Sequence, residues 1–459
     1  VWDEDAGGKH PEWRQVAPDG RLVGRPPFSN EWGWQWLCMN NPHYADYVAA
    51  QTEELCRLYP VDGIFYDLVM QNDPGCVCNH CLASMKRLGL DPTSASALQQ
   101  HSLIVSRAFM RRMTALLHAR QPRARVFYNS RLRLDPNPET GVKGEADAYT
   151  HWEIESLPSG GWGYDHFPLF ARYFQTTGKE FIGMTGRFHL SWADFGGMKN
   201  RAALEYECFR HLSLGAGNSI GDQLHPRGRL DRATYDLIGH VYRQVAAVEP
   251  WCIDAQPLAD IGLLIPGDFP RRGDSRTRES LEGAMHMLME SGHQFQIIDQ
   301  ADDLTRYRVV IAPDDAFFTP ALATRVQAYL AQGGALILSG RSGLKPDESG
   351  FALDEIGLVD GGPAPLTPNY VHITAQSNAQ MVQGIPAADY VMYEQGRRVT
   401  PLPPTQTLIE EGVPYFNRTW EHFCSHQHTP YEKPSGFPMV TQRGRVIYFA
   451  SPIFHAFRM

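Results

Sequence analysis

From residue 61 to residue 248, short apolar runs alternate with helical stretches, and each run ends in a polar or aromatic residue. VDGIFYD (61–67), ARVFYNS (124–130), ADAYTHWEIES (146–156) and KEFIGMTGRFH (179–189) have the length and β-branched or aromatic content of strands. Helical periodicity covers 44–59, about 95–120, 164–178, 201–217 and about 231–248. Strand and helix in strict alternation predict a parallel βα array. Polar strand ends fall at Trp2 to Glu4, Asp67, Asn129, Glu155 and His189, with Asp222 after GNSIG as a sixth. A (β/α)8 TIM barrel places its chemistry at such ends and needs eight strands. The expectation for residues 1–250 is therefore a catalytic TIM barrel without its first two βα units. VWDEDAGG reads as a strand's last residues running into a loop.

A second, shorter series begins near residue 257. ADIGLLIP, HQFQIID, YRVVIAP and ALILSG are its strands, separated by RESLEGAMHMLMESG and ATRVQAYLAQGG. This pattern predicts a flavodoxin-like α/β domain within 257–459, followed by a β-rich extension. RGRVIYFASPIF returns to that sheet as a strand, and SPIFHAFRM stops on one. No G-x-G-x-x-G follows the first strand, so no dinucleotide or other organic cofactor is expected. A length of 459 residues suits two or three domains. No apolar run reaches the roughly 18 residues of a membrane span. A net charge of −9 without a basic block argues against nucleic acid as a partner.

Two acids stand out. Hydrolysis of a glycoside needs one carboxylate to attack the anomeric carbon or activate water, and one carboxylic acid to protonate the leaving oxygen. Asp67, fixed at a strand end, suits the first role; a capping or calcium-binding acid is the plainer alternative. Glu153 and Glu155 share one strand face, and Glu155, nearer the loop, suits the second. A structural carboxylate gripping an arginine is the alternative there. Trp2, Glu4, Asn129, Trp152, Glu153, His189, Trp192, Asp222 and His225 are candidates to bind the terminal sugar of a glycoside, through hydroxyl contacts or ring stacking.

Eight cysteines in a chain this long do not make a disulfide scaffold. Cys76, Cys78 and Cys81 supply three thiols from one loop, and Cys38 completes the four that tetrahedral structural zinc requires. Reduced, unligated thiols are the alternative, and Cys56 fits simple packing. Reduced cysteines suit a cytoplasmic protein. His422, Cys424, His426 and His428 suggest a loop over a barrel mouth more than a second metal site.

VDGIFYDLV with CVCNHCLASMKRLGLDP, GGWGYDHFPLFARYF, IGMTGRFHLSWADFGG and GNSIGDQLHPRGRLD resembles the family 151 α-L-fucosidases, distant kin of the family 29 fucosidases. In that clan the nucleophile is an Asp ending the fourth barrel strand, which corresponds to Asp67. Cys38 with CVCNHC is similar to the zinc site of family 42 β-galactosidases, whose barrel precedes a flavodoxin-like trimerisation domain. The resemblance implies a retaining exo-α-L-fucosidase that forms a homo-oligomer. It also implies a His-rich motif on the second strand, which lies before Val1. A galactoside is the second expectation. An inactive carbohydrate-binding barrel is the third, disfavoured by carboxylates at two strand ends.

Overall fold

The computed structural model describes residues 2–24, 34–130, 132–190, 192–267, 275–377 and 380–458. The chain forms two compact units. The first is Val1–Arg133, Glu139–Glu155 and Lys179–Met184; the second is Leu134–Pro138, Ser156–Gly178 and Thr185–Met459. These borders fall inside the stretch 1–250.

In the first unit, residues 2–4 do not end a strand. Asp3 caps helix α1 (Glu4–Lys9) by accepting a hydrogen bond from Ala6 N, and Trp2 makes only an isolated antiparallel bridge to Trp36. An aspartate here offers an acceptor to an unpaired helix-start N–H. Helix α2 (Pro42–Leu58) starts at an Asn41 cap and leads to strand β1 (Gly63–Tyr66). Helix α3 (Asn79–Leu88) ends at Gly89, whose φ of 67° is left-handed and favours glycine. Helix α4 (Ala95–Arg120) matches the periodic stretch and runs to β2 (Arg125–Tyr128).

β1 pairs in parallel with β2, and β3 (Trp152–Glu155) with β4 (Phe181–Gly186). Thr150 joins the two pairs, its N–H donating to Val126 O at 3.1 Å. β1 and β2 form one sheet, and β3 and β4 belong to another, linked at this bond. Only the second half of 146–156 is a strand; residues Val142–Ala148 form a 3-10 helix. Arg107 and Arg111 of α4 donate to the carbonyls of Glu139, Gly141 and Gly144, which satisfies backbone acceptors without strand pairing.

Strand alternation then sorts the side chains. Tyr66, Tyr128 and Trp152 turn towards the helices: Tyr66 Oη lies 2.9 Å from Thr52 Oγ1, and Tyr128 Oη donates to Met110 O at 2.7 Å. Phe65, Asp67, Phe127, Asn129, Glu153 and Glu155 share the opposite face.

The second unit holds α5 (His166–Phe174), α6 (Arg201–Ser213), β5 (Gly217–Gly221) and α7 (Arg232–Val248). Leu204, Cys208, Leu212, Val241 and Val245 form the core between α6 and α7. Beyond them lies a large mixed sheet with α8 (Ser275–Glu290) and α9 (Pro320–Ala331). Its strands are β6 (Ile261–Leu264), β7 (Phe295–Ile298), β8 (Val309–Ala312), β9 (Ala335–Ser339), β11 (Asn369–His372), β12 (Asp389–Met392), β14 (Gln406–Pro414), β15 (Tyr431–Arg443) and β16 (Val446–Phe449). β10 (Leu358–Pro363) and β13 (Arg397–Pro401) pair apart.

The order is β12-β11-β14-β15-β16-β9-β8-β6-β7, with β16, β9, β8, β6 and β7 parallel. The parallel part has the flavodoxin-like order, and β16 returns to it as the sequence predicts. The chain's end departs from expectation: Ile453–Arg458 is helix α10. The buried Asp314 carboxylate accepts hydrogen bonds from Phe454 N and His455 N, so a helix start replaces the predicted strand.

Candidate active site and thiol cluster

Asp67 and Asn129 follow β1 and β2 directly, and Glu155 ends β3. Asn129 Nδ2 donates to Asp67 Oδ1 at 2.9 Å and reaches Glu155 Oε2 at 3.5 Å. Those two oxygens are therefore no farther apart than the two distances together, about 6.4 Å. Burial, and then the charge of Asp67, hold the Glu155 carboxyl above its ordinary value, while the hydrogen bond from Asn129 acts against them. A carboxyl with a raised pKa beside a second carboxylate has the makings of a proton donor. Glu153 lies on the same face one layer down, where His151 Nε2 meets its Oε1 at 3.1 Å.

Trp152 does not reach this face: it is fully buried on the helix side, its ring 4.6 Å from that of Tyr149. Trp2 stacks on Trp34 at 5.6 Å, and Glu4 accepts hydrogen bonds from Gln35 N and Nε2. Both brace the N-terminal loop instead of closing a strand.

The four cysteines converge as the spacing predicts. Cys38 Sγ lies 3.5 Å from Cys81 Sγ, 3.8 Å from Cys76 Sγ and 3.6 Å from Cys78 Sγ. All four sulfurs fall within 4.8 Å of one another and are buried. Sulfurs at about 2.3 Å from a tetrahedral zinc stand about 3.8 Å from each other, so the cluster fits that metal. N–H donors surround it: Val16 N and Cys78 N to Cys76, Asn40 Nδ2 to Cys81, and Gln71 Nε2 to Cys81 and Cys38. The surrounding amides were not legible, because Gln71 and Asn40 carry no motif of their own. Among the described residues, His422, Cys424, His426 and His428 form no such group; Cys424 Sγ donates to His426 O instead.

The remaining candidates lie in the second unit. Asp222 is held by Arg187 Nε at 2.7 Å, and the same guanidinium donates to the carbonyls of Asp194 and Gly197. Arg187 is buried and stands inside the GRFH motif, where nothing in the local sequence marks its partners. Trp192 is part-exposed and lies edge-on to Phe188, over Gly186 and Gly221. His189 is exposed; His225 faces Phe195, and its Nδ1 accepts a hydrogen bond from Arg227 N.

Paired strand-end carboxylates on a parallel βα array are a glycoside hydrolase arrangement, and the structures similar to this chain include an α-L-fucosidase and β-galactosidases. The α-L-fucosidase isoenzyme 2 of Paenibacillus thiaminolyticus superposes over 100% of this chain and 67% of its own, with TM-score 0.89 and 36% identity. The chain belongs to the family of that α-L-fucosidase. The β-galactosidase of Bacillus circulans sp. alkalophilus shares the fold at 14% identity, over 99% of this chain and 76% of its own, with TM-score 0.72. The β-galactosidase BglY of Alicyclobacillus acidocaldarius is 28% identical over 155 residues, 29% of this chain and only 21% of that relative. Residues 268–366 match the family model of the β-galactosidase trimerisation domain.

Proposed function

We propose that this protein is a retaining exo-glycosidase of the family 151 type that removes terminal α-L-fucose, with Asp67 as nucleophile and Glu155 as acid/base. The observation that carries this reading is the meeting of both carboxylates on Asn129 Nδ2. One pair of their oxygens stands no more than about 6.4 Å apart, which accommodates the close pairing of carboxyl groups that a retaining enzyme uses. Asp67 attacks the anomeric carbon while Glu155 gives its proton to the departing oxygen, leaving a glycosyl ester on Asp67. Glu155, now ionised, takes a proton from water, and the resulting hydroxide displaces Asp67 to release the sugar with retained configuration. Asn129 holds both groups in register through its amide.

Residues 1–250 would supply the catalytic (β/α)8 barrel, and residues 257–459 the flavodoxin-like, trimerisation-type domain of a homo-oligomer. Cys38, Cys76, Cys78 and Cys81 would hold structural zinc, which with four thiolates has no open position for chemistry. A galactoside is the second reading, favoured by the resemblance to BglY.

A panel of nitrophenyl glycosides, with proton NMR of the first product anomer, tests the proposal. The expected result is turnover of the α-L-fucoside and release of α-L-fucose. Turnover of the β-D-galactoside alone would transfer the reaction to the second reading, and an inverted product would overturn the roles of Asp67 and Glu155.

A further inference from the structure

We infer that the side-chain amide of Gln71 couples the four-thiol cluster to the strand end bearing Asp67, so that metal at the thiols fixes the position of that carboxylate. The inference rests on metal being held there, and its consequence for turnover rests on the role proposed for Asp67. Four thiolates around a divalent cation leave a net charge of −2 in a buried place, which is costly unless N–H groups point at the sulfurs. Of the donors that do so among the described residues, Gln71 stands nearest Asp67, four residues further on. Its Nε2 reaches Cys81 Sγ at 3.7 Å and Cys38 Sγ at 4.0 Å. Its Oε1 accepts from Ser102 Oγ at 3.0 Å, which turns the nitrogen end towards the sulfurs.

Little slack separates Gln71 from Asp67. Val69 N donates to Asn129 O at 2.8 Å, which ties the segment to the residue that also holds Asp67. Gln15 clamps both neighbours of Gln71: its Nε2 donates to Met70 O at 3.3 Å, and its Oε1 accepts from Asn72 N at 2.9 Å. Gln71 and Ser102 are almost fully buried, so water offers no substitute for these bonds. From sulfur to carboxylate the path is therefore a run of oriented hydrogen bonds, buried at the thiols and Ser102 and open to solvent at Asp67. Gln71 is a positioning residue, since it acts through the backbone of residues 67–72.

The test needs no substrate. Wild type, Gln71→Leu and Ser102→Ala are each prepared with zinc, with cobalt(II) and stripped of metal, and hydrogen exchange is followed on peptides covering residues 67–72. Stripping wild type should speed exchange there about tenfold. Gln71→Leu with zinc should show most of that increase, and stripping it should add little more. Ser102→Ala, which frees the amide to turn, should give a smaller change in the same direction. The thiolate-to-cobalt charge-transfer band should shift in Gln71→Leu, which a purely packing role would not cause. Equal exchange in wild type and Gln71→Leu, an unmoved cobalt band, or a wild type that takes up no metal would each overturn the inference. A wild type that shows the exchange coupling but hydrolyses no glycoside would leave the coupling standing and remove the reaction proposed for Asp67.

Discussion

In the proposed reaction Glu155 carries two opposing demands, protonation for chemistry and ionisation at neutral pH. Burial raises its pKa first and the Asp67 charge adds to that, so replacing Asp67 with Asn removes one cause and should lower the Glu155 pKa. Carboxyl infrared or carbon-13 titration of Asp67→Asn against wild type measures the shift, and an unchanged value would separate the two groups. The same variant should lose turnover. Glu155→Gln should slow substrates with poor leaving groups by roughly 10²–10⁴-fold and activated aryl glycosides far less. A folded-state pKa above the unfolded one gives stability that is present below the unfolded pKa and lost as pH rises through the folded value. Glu155→Gln has no such loss, so its melting temperature should exceed that of wild type at pH 7 in calorimetry. That Glu155 lies nearer the loop than Glu153 was legible in the sequence. That His151 engages Glu153 was not, since it depends on how the strand sits against its neighbours.

Among the elements, the ends of β4 and β5 depend on two glycines. A Cβ on Gly221 would stand 2.2 Å from Trp192 Cη2, and one on Gly186 would stand 2.8 Å from Phe188 Cδ2. Gly221→Ala should therefore push the indole off the strand end at a cost of about 1–3 kcal/mol, typical of overpacking. Thermal unfolding and tryptophan emission would record it. Adding Trp192→Ala should recover most of the lost stability, because the nearest atoms to the added Cβ all belong to that ring; additive losses would contradict this packing. α4 could be read from its period, since 26 residues of helix carry their own hydrogen bonds. The 3-10 helix Val142–Ala148 could not, because arginines of α4 complete its carbonyl bonding. α10 escaped for the same reason, as its start is set by Asp314, well over 100 residues earlier in the chain.

At the scale of the whole molecule, histidines whose pKa burial depresses set an acid limit, His166 among them at about 3. His101 and His211 are almost wholly excluded from solvent, and burial lowers the pKa of both, His211 to about 4. Neither ring nitrogen of His101 has a hydrogen-bond partner among the described residues, so protonation there gains no hydrogen bond to set against burial. Groups with depressed folded pKa values contribute stability above the unfolded value, about 6.5 for histidine, and lose it as pH falls towards the folded one. Melting temperature should hold from pH 8 to about 6.5 and then decline towards pH 4. For His211 alone the loss is on the order of 2–3 kcal/mol. His101→Leu should flatten part of that slope, and an unchanged slope would show that His101 is not its source.

By itself the sequence determined the alternation of strand and helix, the position of Asp67, Asn129 and Glu155 at or just past strand ends, and the meeting of Cys38 with Cys76, Cys78 and Cys81. Each follows from local periodicity or from the fixed demands of a ligand set, and both survive without knowledge of neighbours. Tertiary structure decided the burial of Trp152, the loop-bracing roles of Trp2 and Glu4, the grip of Arg187 on Asp222 and the amide of Gln71 on the thiols. A polar side chain can bond to many partners, and only the arrival of a particular one from another segment selects among them.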